Sequence, residues 1–217
     1  DLAEAAGVTV EDRWMEFYLS EEVRREARGL VAGKKILTVS PGGGDSWGKD
    51  AHFKRWPVAY FSDLIRRISG EVRIDEVFIL GSPSEKPLAQ ELRALLNLPA
   101  RDLTGEIGLE LAAAVMKESV LFVGNDGGLV HMARALETPL IAFYGPVDPA
   151  VYGPYPVSAA AAALFKDGLG CRPCYRKFRY DSSCRHLRCL TDLTPEEVMA
   201  QLKKNRFFEN SLQRERL

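Results

Sequence analysis

The sequence predicts an α/β protein, a Rossmann-like doubly wound parallel sheet, and three observations carry that prediction. Short apolar, β-rich runs alternate with stretches of helical spacing from residue 35 to residue 144, the order that packs helices on both faces of a parallel sheet. Two of those runs end in glycine-rich turns, Pro41-Gly42-Gly43-Gly44 and Gly124-Asn125-Asp126-Gly127-Gly128. The stretch 120–146 reads strand, glycine turn, helix, strand, a complete right-handed βαβ unit.

Taken in order, residues 1–19 show no sustained period, and Trp14, Phe17 and Leu19 are expected to pin a linker onto the domain. Ser20 opens a charged helix over 21–30 with a partial capping box, since Val23 stands where the box has Glu or Gln. Residues 35–40 form a β-branched strand between Gly33 and Pro41. The turn 41–46 follows at once. Its backbone amides and Ser46 can cradle a phosphate or sugar hydroxyls, unless it is a flexible loop with no ligand. It lacks the Gly-Lys-Ser/Thr of a P-loop.

A helix over 57–69 starts at Pro57 and buries Tyr60, Phe61, Leu64, Ile65 and Ile68. Lys54 and Arg55 stand just ahead of it, able to reach back over the glycine turn or to serve as surface charges. A strand over 77–80 precedes a helix carrying Leu88, Leu92, Leu95 and Leu96. Glu85, in the first turn, complements the helix dipole, and in a nucleotide site could accept hydrogen bonds from ribose hydroxyls. Residues 101–103 make a short edge strand, and 109–117 an amphipathic helix.

In the central unit, strands over 120–123 and 140–144 flank a helix over 129–136. That helix begins at the carboxyl edge of the sheet, with open N–H groups, a positive dipole end and two glycines that admit an anion. Asp126 can cap it, or bind ligand, and His131 lies one turn up, facing the same place. After a loop over 147–156 with three prolines, the alanine-rich run 158–165 has helix propensity but occupies a strand's place in the order, and strand is the expectation. Thr194, Pro195 and Glu197 begin a last helix, followed by a charged tail.

Composition narrows the function. With 46% hydrophobic and 27% charged residues the chain is an ordinary globular protein, and its net charge of −1 gives no electrostatic case for nucleic acid. The longest apolar run, 157–165, is far short of the roughly 20 residues of a membrane span. The opening residues lack a basic start and an apolar core, which points away from secretion and towards the cytoplasm. The chain begins without Met and is expected to be part of a longer one. Cys171, Cys174, Cys184 and Cys189 leave three readings open. They are a tetrahedral zinc site, two disulfides (disfavoured in a reducing compartment), or reduced structural thiols.

Four motifs together resemble glycosyltransferase family 9, which holds the bacterial heptosyltransferases of lipopolysaccharide core assembly. They are Pro41-Gly42-Gly43-Gly44, Lys54-Arg55-Trp56-Pro57, the run from Gly124 to His131, and the run from Tyr144 to Pro149. The cysteine segment and residues 193–198 resemble the family's tail. The resemblance covers residues 34–202.

It implies the GT-B fold, two Rossmann-like domains facing a cleft, with this chain as the C-terminal, donor-binding half. The division is then a linker and leading helix over 1–33, a nucleotide-sugar-binding domain over 34–205 including the cysteine segment 171–189, and a charged tail over 206–217. The resemblance makes ADP-heptose the donor and lipopolysaccharide inner core the acceptor. The acceptor would be held by an N-terminal domain that also supplies the general base and has no counterpart here. This chain would then carry no catalytic residue and not turn over alone.

By resemblance, Asp126, Gly127, Gly128 and Leu129 hold diphosphate and sugar with His131 close by, Lys54 neutralises the diphosphate, and Glu85 contacts the nucleoside. Gly42, Gly43 and Gly44 offer backbone amides; at Gly43 and Gly44 the family often has Ser or Thr. No cofactor is required, apart from a structural zinc if the cysteines bind one. The location implied is the cytoplasm, at the inner face of the inner membrane. Three other functions fit the residues: a non-catalytic nucleotide-sugar-binding module, a fragment of a GT-B sugar-nucleotide epimerase, and a zinc-dependent interaction module.

Overall fold

Six strands lie parallel in one sheet, β1 (Ile36–Ser40), β2 (Glu76–Ile79), β3 (Ala100–Asp102), β4 (Leu121–Asn125), β5 (Leu140–Phe143) and β6 (Ala161–Leu164), in the order β3-β2-β1-β4-β5-β6. The structure is a computed structural model that describes residues 5–9, 14–176, 179, 181 and 183–212. Parts of the predicted linker (1–4, 10–13) and tail (213–217) therefore lie outside the described residues.

Period-two alternation divides the strands' side chains between two cores. Leu37, Val39, Val77, Ile79, Leu121, Val123, Ile141 and Phe143 point into one, and Ile36, Phe78, Phe122, Leu140 and Ala142 into the other. Helices α1 (Glu21–Val31), α4 (Leu109–Lys117) and α5 (Gly128–Ala135) cover the second face; α2 (Val58–Ile68), α3 (Lys86–Leu95) and α8 (Pro195–Lys204) cover the first. Between them come two single turns, α6 (Pro149–Tyr152) and α7 (Arg188–Thr191). This is the doubly wound sheet expected from the sequence.

The alanine run is a strand, not a helix. Ala161 to Leu164 pair in register with Leu140 to Phe143, and the unfilled edge of β5 outweighs alanine's local preference. Pro57 sits one position earlier than expected, at the N-cap of α2 with ψ 133°, its backbone still extended. Ser20 caps α1, its hydroxyl accepting from the Val23 N–H at 3.3 Å, while its own N–H donates to the carboxylate of the distant Glu110 at 3.3 Å rather than to an acid at position 23. Phe17 and Leu19 pack on the second core as anticipated, whereas Trp14 is 48% exposed with the Arg134 guanidinium 4.3 Å from its ring centre and residues 5–9 are exposed. Beyond α8, α9 (Phe207–Leu212) turns back and buries Phe207, so the region read as a charged tail contributes to the first core. Among the described residues no helix is long and apolar enough to cross a membrane.

Trp56 joins this frame to the carboxyl edge. It is 1% exposed, stacks on Phe143 at 4.0 Å between centroids and meets Phe61 edge-on at 5.2 Å. Its Nε1–H donates to the Leu193 carbonyl at 2.8 Å. Trp56→Ala is therefore expected to cost about 3–5 kcal/mol in urea unfolding, the range for deleting a large buried aromatic side chain. A loss below about 1 kcal/mol would show that the ring is not a keystone of the first core.

Candidate ligand-binding site

The strand order reverses between β1 and β4, whose crossovers leave in opposite directions and open a crevice at the carboxyl edge. Both glycine turns lead into it. They touch backbone to backbone: a Cβ on Gly127 would stand 2.5 Å from the Gly43 carbonyl oxygen. Gly43 has φ +79°, and a Cβ there would meet the Asp126 carbonyl oxygen at 3.1 Å. Asn125, 2% exposed at the end of β4, locks the junction. Its Nδ2–H donates to the Pro41 carbonyl at 2.6 Å and its Oδ1 accepts from the Trp56 N–H at 2.9 Å. In the sequence Asn125 reads as turn composition only. The signal was an amide inside an otherwise apolar strand end.

Beside the two turns lies a cleft of about 470 Å³. Gly43, Gly44, Gly127 and Gly128 line it with backbone, while Leu103, Ile107, Ala112, Leu129 and Met132 give it an apolar wall. Such a cleft suits a ligand with a flat apolar part and an anionic part. One expectation is corrected here. Asp126 does not cap α5, because the chain is extended at Gly127 (φ 173°, ψ 177°), which takes the N-cap position, and among the described residues no side chain bonds that end. Of the first-turn amides, that of Val130 donates to the Gly127 carbonyl at 3.1 Å, while among the described residues those of Gly128 and Leu129 have no side-chain partner and can meet an anion.

Buried charge surrounds the turns. Lys54 is 2% exposed; its Nζ donates to Ser46 Oγ at 3.3 Å and lies 5.0 Å from the centre of the Trp47 ring. Among the described residues no carboxylate comes within ion-pair distance of it. Burial lowers its pKa, with Asp126 and Glu85 pulling the other way and Arg55 adding to the fall. Asp126 is shifted oppositely: burial raises its pKa against the charges of Lys54 and His131. Tyr144, at the end of β5, is fully buried, and its hydroxyl has no hydrogen-bond partner among the described residues. Burial and then the Asp126 charge hold it protonated.

Arg55 donates to the Gly42 carbonyl at 3.1 Å, so the pair ahead of α2 does reach back over the glycine turn. Glu85 is 3% exposed and stands in a short 3₁₀ turn, Pro83–Glu85, just ahead of α3 rather than in the helix's first turn. Gly42, Gly43, Gly44, Lys54, Glu85, Asp126, Gly127, Gly128 and Leu129 thus gather around one crevice. His131 is half-buried one turn into α5.

All four cysteines are free thiols lining one cleft of about 520 Å³ with Arg172 and His186. The segment is laced to the end of β5. The N–H groups of Cys174 and Tyr175 donate to the Pro146 carbonyl at 3.0 and 3.1 Å, and Arg172 donates to the carbonyls of Gly145 and Val147 at 2.5 and 2.9 Å. Tyr175 stacks on Trp47 at 4.9 Å between centroids, so the segment reaches the ring that lies against Lys54. Burial pushes the Cys189 thiol up to about 12, a value at which it stays neutral. Among the described residues no three His, Cys, Asp or Glu side chains stand close enough to share a metal ion. The thiols as placed here do not form a tetrahedral zinc site, and they form no disulfide.

Residues 2–182 match the model of glycosyltransferase family 9 (heptosyltransferase). Lipopolysaccharide heptosyltransferase 2 of Salmonella typhimurium is 32% identical over 154 residues, which cover 69% of this chain and 42% of that protein. The solved structure of Escherichia coli ADP-heptose lps heptosyltransferase II superposes with TM-score 0.68 at 24% identity, over 97% of this chain and 57% of its own. A family 9 glycosyl transferase from Veillonella parvula gives TM-score 0.71 at 23% identity, over 93% of this chain and 56% of its own. The chain spans about half the length of the curated relatives it matches.

The raised pKa of Asp126 fixes a sign for the pH dependence of stability. Between 3.8 and its folded value the native state holds a proton that the unfolded chain has lost, so rising pH removes stability through this group. Asp126→Asn should make the ligand-free protein more stable than the parent at pH 7, by about 1.4 kcal/mol for each unit of the shift. The gain should fade as pH drops towards 4. Chemical denaturation across pH 4–8 checks this, and an Asn variant less stable than the parent at pH 7 would contradict it.

Proposed function

This chain belongs to glycosyltransferase family 9, and from that premise we propose that its carboxyl-edge crevice binds the nucleotide-sugar donor of an inverting glycosyltransferase. One observation carries the reading. The Lys54 ammonium is buried against the glycine turn with no carboxylate paired to it among the described residues, next to the uncapped start of α5. A buried cation beside open helix amides is a site for a diphosphate. The apolar wall of the cleft then takes the base, and the Asp126 carboxyl and His131 stand on the sugar side.

ADP-heptose is the donor we favour, because the relatives are heptosyltransferases and the E. coli protein of similar fold is named an ADP-heptose heptosyltransferase. The acceptor is then lipopolysaccharide inner core. It is held by the part of the relatives' length that this chain does not span, at the inner face of the cytoplasmic membrane. In the reaction, an acceptor hydroxyl oxygen bonds to the anomeric carbon while the bond from that carbon to the diphosphate oxygen breaks. The proton passes to a base on the acceptor side. Lys54 and the α5 amides receive the charge that develops on the leaving diphosphate, which is where stabilisation speeds the step. The scheme calls on no cofactor.

Calorimetric titration with ADP-heptose, ADP, GDP-sugar and UDP-sugar tests the proposal. ADP-selective binding is expected, and Lys54→Ala should weaken it by about 10- to 100-fold, the loss of a charge-assisted contact. Equal affinity of the parent and Lys54→Ala for ADP would remove the basis of the reading.

A further inference from the structure

Trp47 and Lys54 bracket one 3₁₀ turn, Gly48–Lys54, with Trp47 at its N-cap and Lys54 as its last residue. The turn brings the ammonium to 5.0 Å from the centre of the indole ring. At that distance the ring's quadrupole attracts a cation, and the attraction grows where water is excluded. Lys54 is 2% exposed, and its side-chain hydrogen bond goes to a neutral group, Ser46 Oγ, at 3.3 Å. The charges that face it are Asp126 from the turn after β4, Glu85 from the 3₁₀ turn ahead of α3, and Arg55 beside it. Among the described residues neither carboxylate stands within ion-pair distance. The ring is held in turn by the cysteine segment. Tyr175 stacks on it at 4.9 Å between centroids, with 16° between the planes. Tyr175 is itself fixed, its N–H bonded to the Pro146 carbonyl at 3.1 Å and the Tyr152 ring lying across it at 5.7 Å.

We infer that Trp47 is a positioning residue: backed by Tyr175, its ring stands in for a counter-ion and holds the Lys54 ammonium charged beside the glycine turns. The lysine stem passes there, since a Cβ on Gly43 would lie 3.8 Å from Lys54 Cε. That stem is flexible and its ammonium has no directional fork, so a fixed neighbour must set its place. A carboxylate could do so, but it would repel an incoming anion. An uncharged ring holds the cation without competing for it. Burial draws Lys54 towards its neutral form, and the ring opposes that drift. The cysteine segment, distant in sequence, thereby supports the anion site through Tyr175. That the anion is a diphosphate rests on the proposed donor site; the ring's hold on Lys54 does not.

Three variants test it: Trp47→Leu removes the aromatic face, Trp47→Phe keeps one, and Tyr175→Leu removes its support. In the ligand-free protein, NMR of lysine isotope-labelled at Cε follows the Lys54 titration, with the signal assigned by its loss in Lys54→Ala. The midpoint should fall by about half a pH unit or more in Trp47→Leu, and by less in Trp47→Phe and Tyr175→Leu. Only the ammonium form attracts a diphosphate, so ADP affinity falls as pH rises through that midpoint, and in Trp47→Leu the fall should come at lower pH. At pH 7, ADP should bind Trp47→Leu about tenfold more weakly than the parent, with adenosine unchanged. An unmoved Lys54 midpoint in Trp47→Leu overturns the inference. So does an equal loss for ADP and adenosine, which would make the ring a wall of the cleft and nothing more. If Trp47→Leu does not fold, Tyr175→Leu is judged by the same two criteria. Should the parent bind no nucleotide, the donor-site proposal falls, while the Lys54 midpoint still decides the role of the ring.

Discussion

The structure depends on one close approach, the passage of the turn after β1 against the turn after β4 with backbone on backbone. Gly127 has no room for a Cβ beside the Gly43 carbonyl, and Gly43 must take a left-handed φ to lie there. Everything around the crevice is arranged to hold that contact. Asn125 ties the first turn to the second and to Trp56, Arg55 holds Gly42, and Trp56 anchors the whole to the aromatic core under β5. A sheet switch point supplies the gap. The glycines let two chains share it closely enough for their amides to converge.

Around that contact the protein keeps charge in poorly solvated places. Lys54 and Asp126 are both buried, and burial shifts both towards their neutral forms while each opposes the other's shift. Neither forms a direct ion pair among the described residues, so the attraction between them is incomplete compensation. A site of this kind is unfavourable when empty and gains when an anion arrives. The same logic explains why α5 starts without a side-chain cap. In the proposed donor site, a carboxylate on those amides would compete with the diphosphate.

Much of the fold was legible because two periods do not overlap. The short apolar, β-rich runs at 36–39 and 121–123 are too short for helix, and the spacing of Phe61, Leu64, Ile65 and Ile68 cannot be read as strand. The alanine run at 161–164 was ambiguous by propensity, and only the open edge of β5 made it a strand. At the site, the glycine turns and Lys54 were visible as composition next to strand ends. What stayed hidden depended on direction. Asp126 reads as a cap until φ and ψ at Gly127 move the helix start by one residue. Glu85 reads as a first-turn helix acid until it is found in the 3₁₀ turn ahead of α3, with its oxygens on the Gly44 and Ser82 N–H groups. The role of Arg172 and Tyr175 in strapping the cysteine segment to Pro146 and Trp47 joins parts of the chain too far apart for local pattern to reveal.

The most direct test of the central claim is a crystal of this protein soaked with ADP, read for where the diphosphate density falls. The account predicts it between the amides of Gly43 and Gly44 and those of Gly127 and Gly128, within hydrogen-bond reach of Lys54 Nζ. A nucleotide bound elsewhere, for instance in the cleft at the amino edge lined by Lys34, Lys35 and Lys117, would contradict it.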